Sequence, residues 1–148
     1  MSQPIVEVRD YTINEDDFAA YCEWAETLAA PWLKENLDLV GFWLATDDPA
    51  EVTGVDPHVS KHGQANVHWM IRWDSREARE ERWQTWTKDP GWEAIWAKHP
   101  NPSAYLQMNV RFMTPVLAHT DDGFYGQIWI ARRGRHHAPG DGYASSGG

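Results

Sequence analysis

Residues 5–18 read Ile-Val-Glu-Val-Arg-Asp-Tyr-Thr-Ile-Asn-Glu-Asp-Asp-Phe, and the change of period inside this stretch decides the fold. From Ile5 to Ile13, Val6 and Val8 alternate with Glu7, Arg9 and Tyr11. That is the two-residue period of a half-buried strand. Asn14 then offers an N-cap, and Asp16 and Asp17 put negative charge in the first turn, where the helix dipole favours it. Phe18, Tyr21, Ala25, Leu28, Ala29 and Trp32 continue at helical spacing. Pro31 falls inside that pattern and predicts a kink or a restart.

Working outward, Leu39–Ala45 (LVGFWLA) is a short run apolar on both faces, which predicts a strand buried on both. Gly41 within it predicts a bulge or a close backbone approach. Thr46–Gln64 is a long polar loop, and loops of that length in a small domain are often functional. Asn66–Trp73 (NVHWMIRW) is the next strand. Asp74 and Glu77 then resemble a capping box at the head of a helix from Ser75 to about Lys88. Its Arg/Glu-rich face is read as exposed, with Ala78, Trp83 and Trp86 buried. Asp89-Pro90-Gly91 is turn chemistry. A short helix follows, with Trp92, Ile95, Trp96 and His99 on one side.

After Pro100–Pro102 a strand is expected around Val110–Leu117. Thr120–Gly123 reads as a hairpin turn and Phe124–Ala131 as a last strand. The order β-α-β-β-α-β predicts an α+β, ferredoxin-like fold: an antiparallel sheet with helices on one face, plus one extra hairpin strand at the C-terminal end. The domain organisation is one unit over 1–131, with a core at 4–116 and a hairpin extension at 117–131. Residues 132–148, basic and rich in Gly and Ser, read as a disordered tail.

The strand alternation sorts side chains by face. Val6 and Val8 are expected on the helix side, leaving Glu7, Arg9 and Tyr11 on the open face. Val67, Trp69, Ile71 and Trp73 share one face of the third strand, and His68, Met70 and Arg72 the other. The ten Trp divide accordingly. Trp24, Trp32, Trp83 and Trp86 read as core between helices and sheet, Trp92 and Trp96 as anchors of the short helix, and Trp129 as part of the hairpin. Trp43, Trp69 and Trp73 are left for the open face. Large exposed apolar patches mark association or binding sites. The expected solution is a homodimer whose two sheets pack face to face and enclose an aromatic pocket.

The chain has 148 residues, enough for one domain with a sizeable core. Thirteen basic against 22 acidic residues give a net charge of -9, which argues against nucleic acid and anionic membrane surfaces as partners. The single Cys22 excludes an intrachain disulfide and fits a reducing compartment. No signal-peptide pattern opens the chain and no apolar run reaches the length of a membrane span, so a cytoplasmic protein is expected.

Several stretches together carry a family resemblance. These are Glu7-x-Arg9-x-Tyr11 before an amphipathic helix, Leu39–Trp43 (LVGFW), an aromatic third strand, an Arg-rich helix, Asp89-Pro90-x-Trp92, and Asn109-x-Arg111-x-Met113-x-Pro115. In order and spacing they are similar to the NIPSNAP family, within the dimeric α/β-barrel superfamily, over about residues 4–116. Three features depart from that pattern: the long loop from Asp47 to Gln64, the hairpin from Leu117 to Ala131, and the basic tail. The resemblance implies fold and dimerisation more than activity. Related barrels include cofactor-independent monooxygenases, polyketide cyclases, haem-degrading enzymes and proteins without catalysis.

The leading expectation is a small-molecule enzyme of secondary metabolism, without an organic cofactor, acting on an aromatic or polyketide-like substrate by cyclisation, isomerisation or oxygen insertion. Arg9 and Arg111 would orient ligand oxygens, with Glu7 holding an Arg in place. Tyr11 and His68 are the proton-transfer candidates, and Trp43, Trp69 and Trp73 the walls. A structural Arg–Glu pair tying the sheet together is the competing reading of Glu7 and Arg9. His58 and His62 have H-x3-H spacing, but they lie in a loop without Cys, so no metal is expected and the pair stands only as a weak alternative. Two other functions fit the same residues. One is a non-catalytic ligand-binding or homo-oligomeric assembly protein, and the other a haem-binding barrel with a His58, His62 or His68 ligand.

Overall fold

Among the described residues the chain forms four strands and four α-helices. The computed structural model of the chain describes residues 3–117. Strand β1 (Ile5–Ile13) leads into helix α1 (Glu15–Trp24), one π-helical turn (Ala25–Ala29) and helix α2 (Ala30–Asn36). Strands β2 (Leu39–Leu44) and β3 (Val67–Trp73) come next, then helices α3 (Arg76–Trp86) and α4 (Pro90–Trp96), and strand β4 (Tyr105–Met113). The sheet order is β2-β3-β1-β4 with every neighbouring pair antiparallel, the ferredoxin-like arrangement. The expected hairpin strand Phe124–Ala131, its Trp129 and the tail lie outside the described residues.

Local chemistry explains the boundaries. Asn14 caps α1 by accepting from the Asp16 amide at 3.3 Å. Pro31 is the discontinuity the sequence predicts: having no N–H, it sits in the first turn of α2, directly after the π turn. Helix α3 is capped by Ser75, whose Oγ accepts from the Ala78 amide at 3.0 Å, one residue later than the Asp74 expected from the capping-box pattern. Asp89 caps α4 through the Gly91 amide at 2.7 Å. Strand β4 begins at Tyr105 rather than near Val110, since its pairing with β1 runs on through a register shift between Thr12 and Ile13 to Tyr105. Pro115 marks its end.

The core lies between the helices and one sheet face. It joins Tyr11, Ile13, Val67, Trp69, Ile71 and Trp73 of the sheet to Tyr21, Trp24, Ala25, Ala29, Leu33 and Trp86 of the helices. This reverses the face expected for β1. Glu7, Arg9 and Tyr11 point toward the helices, whereas Val6 and Val8 lie on the other face with Val40 and Met70. Trp69 and Trp73 are likewise core residues rather than open-face walls. The physical reason is pairing. Alternation gives two sets of side chains, and a charged set can face the core when a helix brings its counter-charges.

Strand β2 is a sheet edge, not a strand buried on both faces. Its register shifts between Leu39 and Gly41, the predicted bulge. The Trp43 ring lies directly over Gly41, where a Cβ would collide with it. Trp43 itself remains 48% exposed.

Candidate functional site

A cavity of about 470 Å3 opens between the sheet and the helices. Tyr11, Phe42, Trp69 and Tyr105 form its sheet side, while Trp24, Trp83, Trp86, Trp92 and Trp96 come from the helices. The rings pack mainly edge to face: Trp83 on Trp86 at 4.9 Å, Trp86 on Trp92 at 5.3 Å, and Tyr11 on Tyr105 at 5.4 Å between centroids. Trp24 also ties α1 to α4 by donating its indole N–H to the Ile95 carbonyl at 3.0 Å.

Charge enters this aromatic space through Arg9. Its side chain is 11% exposed. Its Nε donates to the Tyr11 hydroxyl at 2.6 Å and its Nη1 to Glu7 Oε2. The guanidinium lies 4.8 Å from the Trp83 ring centroid and 5.4 Å from that of Trp69. Glu7 has no exposure. It also receives Arg79 Nε at 2.9 Å, Arg79 Nη2 at 3.1 Å and the Trp73 indole N–H at 3.0 Å. Burial pushes the Tyr11 hydroxyl pKa up, with Arg9 pulling the other way. Burial works against the charge of Arg79, but Glu7 and, less strongly, Glu80 together outweigh it and raise its pKa.

A second polar pair lies beside Trp24 and Trp96. His99 Nδ1 accepts the Asn101 amide at 3.0 Å, so its Nε2–H is the donor to Tyr105 Oη at 2.9 Å. Burial lowers the pKa of His99 and raises those of Tyr105 and Tyr21. The imidazole is therefore neutral and fixed in one tautomer.

The expected site residues thus separate into two groups. Glu7, Arg9, Tyr11, Trp69 and Trp73 meet on the helix side. Trp43, His68 and Arg111 meet on the opposite face, so the expected cluster of Glu7, Arg9 and Arg111 does not form. There, Trp43, His68, Asp10 and Asn109 lie in register across β2, β3, β1 and β4. Asp10 takes His68 Nδ1 at 2.6 Å and Arg111 Nη2 at 2.7 Å. A more polar cleft of about 680 Å3 separates Asp10, Asn109 and Arg111 from loop residues 58–65. His58 pairs with the exposed Asp56 at 3.2 Å, and His62 lines a different cleft. Among the described residues no group of three or more His, Cys, Asp and Glu side chains could hold a metal ion.

Sequence reading missed Arg79, Trp83 as a site residue, His99 and Tyr105. The signal was present for the first two. Arg79, Trp83 and Trp86 fall at i, i+4 and i+7, one helical stripe, although the Arg/Glu-rich face is read as solvent-facing.

The fold and this cavity can now be set beside known proteins. The NIPSNAP family profile matches residues 6–118. The chain belongs to the NIPSNAP family. Its fold is similar to that of a NIPSNAP family protein from Agrobacterium tumefaciens, with 20% identity, 78% of this chain and 89% of that one covered, and a TM-score of 0.55. It is also similar to a NIPSNAP-like domain protein from Burkholderia xenovorans at 15% identity, covering 81% and 91%, with a TM-score of 0.59. A second Agrobacterium tumefaciens NIPSNAP family protein, described as of unknown function, gives 18% identity, 77% and 89% coverage and a TM-score of 0.57. Likeness at these identities is a likeness of fold. No curated protein matches the chain. Among the described residues of this NIPSNAP chain, no helix is long and apolar enough to cross a membrane.

Proposed function

We propose that this NIPSNAP chain is a small-molecule enzyme that holds a flat aromatic or polyketide-like substrate in the cavity between sheet and helices. One observation carries the reading: an aromatic cavity of about 470 Å3 whose wall includes a nearly buried arginine. That volume lies within the roughly 300–1,000 Å3 of ligand pockets. Ring faces from Trp83, Trp86 and Trp92 suit a planar ligand, and Arg9 with Tyr11 suits an oxygen on its edge. Cyclisation, isomerisation and cofactor-independent oxygenation of such substrates share an enolate-like intermediate. The substrate's proton passes to water at the cavity mouth, and Arg9 and the neutral Tyr11 hydroxyl stabilise the oxygen on which that charge develops.

The test is titration of Trp emission with 2-naphthol, with native mass spectrometry of protein taken from its own host to detect a retained ligand. Met108→Trp provides the control, because Met108 lines the cavity yet is 58% exposed, so the variant can block the opening without disturbing the core. Saturable quenching that Met108→Trp abolishes supports the reading. Absence of quenching together with a ligand-free mass overturns it.

A second copy of the chain is the partner we propose for the opposite sheet face. Trp43, Met113, Val116 and Leu117 are all exposed, and Val6, Val8, Val40 and Met70 line a groove with the last three of these. Sedimentation reads the outcome directly: a dimer that Met70→Glu converts to monomer supports it, and a monomer at micromolar concentration refutes it.

A further inference from the structure

We propose that the cavity takes its ligand as an anion, an aromatic carboxylate or enolate, and that Arg79, which does not line the cavity, sets this charge preference. The proposal rests on the cavity reading above and names the ligand's charge class.

Hydrogen-bond capacity and charge divide unequally between Glu7 and Arg9. A carboxylate offers about four acceptor positions. Glu7 receives four N–H groups: one from Arg9, two from Arg79 and one from Trp73. Its acceptor capacity is filled, so it can neither take a proton from a ligand nor accept another hydrogen bond without losing one it has. Arg9 is the reverse case. A guanidinium carries five N–H donors. Arg9 uses one on Tyr11 and one on Glu7, and among the described residues its other three meet no acceptor. It is the charged residue on the cavity wall.

The charges do not cancel. Arg9 and Arg79 contribute two positive charges and Glu7 one negative, leaving one net positive charge in a nearly buried triad. Both guanidinium groups also approach the Trp83 ring, 4.8 Å for Arg9 and 4.1 Å for Arg79, and a neutral ring does not cancel their charge. Glu80 also touches Arg79, at 3.1 Å, but it is half exposed and shared with Arg76, so solvent screens most of its effect. A buried net charge is costly unless a counter-charge arrives. The chain as a whole carries -9, so this positive interior is a local inversion. Without Arg79, Glu7 would neutralise Arg9, and the cavity would lose its preference for anions. Arg79 is therefore a positioning residue that also sets the charge of the site.

The experiment compares 2-naphthoate with its neutral isostere 2-naphthamide, both titrated by Trp emission. The full chain is expected to bind 2-naphthoate about tenfold more tightly or better. In Arg79→Gln that ratio falls to about one, whatever common change in the two affinities follows from a shift of α3. Near-UV circular dichroism checks the fold. If Arg79→Gln does not fold, Arg79→Lys keeps the charge and must keep the preference. Equal binding of the two probes to the wild-type chain overturns this proposal and leaves the cavity reading intact. A preference that survives Arg79→Gln removes Arg79 from it, and one lost in a folded Arg79→Lys overturns the assignment of the preference to the charge of Arg79. Binding of neither probe overturns the cavity reading and this proposal together.

Discussion

Arg79 grips the fully buried Glu7 with two nitrogens, Nε at 2.9 Å and Nη2 at 3.1 Å, and so joins helix α3 to the middle of strand β1. The pair spans 72 residues of sequence and crosses from one layer of the domain to the other. A bidentate pair of this kind fixes orientation as well as distance. It holds α3 over the sheet at the angle that also brings Trp83 onto Arg9.

Glu7→Gln removes the charge that two arginines share. The amide keeps one acceptor oxygen and sets an NH2 against guanidinium donors. Breaking a buried ion pair by removing one partner costs about 3–5 kcal/mol. Urea unfolding should therefore show an unfolding free energy lowered by an amount in that range, with Val6→Ala on the opposite face as a milder comparison. A loss below about 1 kcal/mol would mean that the triad is solvated in solution.

Stability should fall on the acid side because of His99. Burial depresses its folded pKa below the ordinary value of about 6.5. Below that pH the unfolded chain binds a proton that the folded chain refuses, so acid favours unfolding. The contribution is fully present above about pH 6.5 and is lost as the pH falls toward the folded value. The stability advantage of the wild-type chain over His99→Gln should narrow steadily as the pH falls below about 6.5. A constant difference would contradict the neutral, fixed tautomer.

Ser75→Ala removes the hydroxyl that accepts from Ala78. A lost N-cap costs about 1 kcal/mol. The same variant frees the head of the helix that carries Arg79. Amide exchange should rise first in residues 76–79, and exchange confined to the far end of α3 would contradict the assignment of the cap.

Gly41→Ala would drive a methyl group into the Trp43 ring. Trp43 is at a sheet edge and half exposed, so the ring can swing away at modest cost. The expected result is a small loss of stability with Trp43 emission shifted to the red. Unchanged emission would mean that the ring does not rest on the bulge.

Much of the architecture was legible because it rests on local periods. The β1-to-α1 switch, the break at Pro31 and the bulge near Gly41 each follow from a few neighbouring residues. The choice of face for β1 was not legible. Val6 and Val8 look like core residues and Glu7 and Arg9 look like surface, and only a residue 72 positions away changes that balance. Long-range pairing carries no local period. The same blindness hid Tyr105 and His99, which acquire their roles through each other and through Asn101. For the site, the Glu7, Arg9 and Tyr11 triplet was visible as a group, and its surroundings were not. Arg111 and His68 also form a real cluster, but with Asp10 and on the other side of the sheet.

The π turn at Ala25–Ala29 acts as a spacer in the phase of a helix. Ala25 and Ala29 are almost fully buried, whereas Glu26 and Thr27 face solvent. One residue more or fewer in an α-helix rotates everything beyond it by about 100°. The π turn at Ala25–Ala29 takes up that extra residue locally, so deleting one residue here would return the segment to a continuous α-helix with Leu33 still facing the core. The segment is therefore tolerant of length as well as spelling: losing one residue at Glu26 or Thr27 should do less harm than the same loss within the regular turns of α1 or α2.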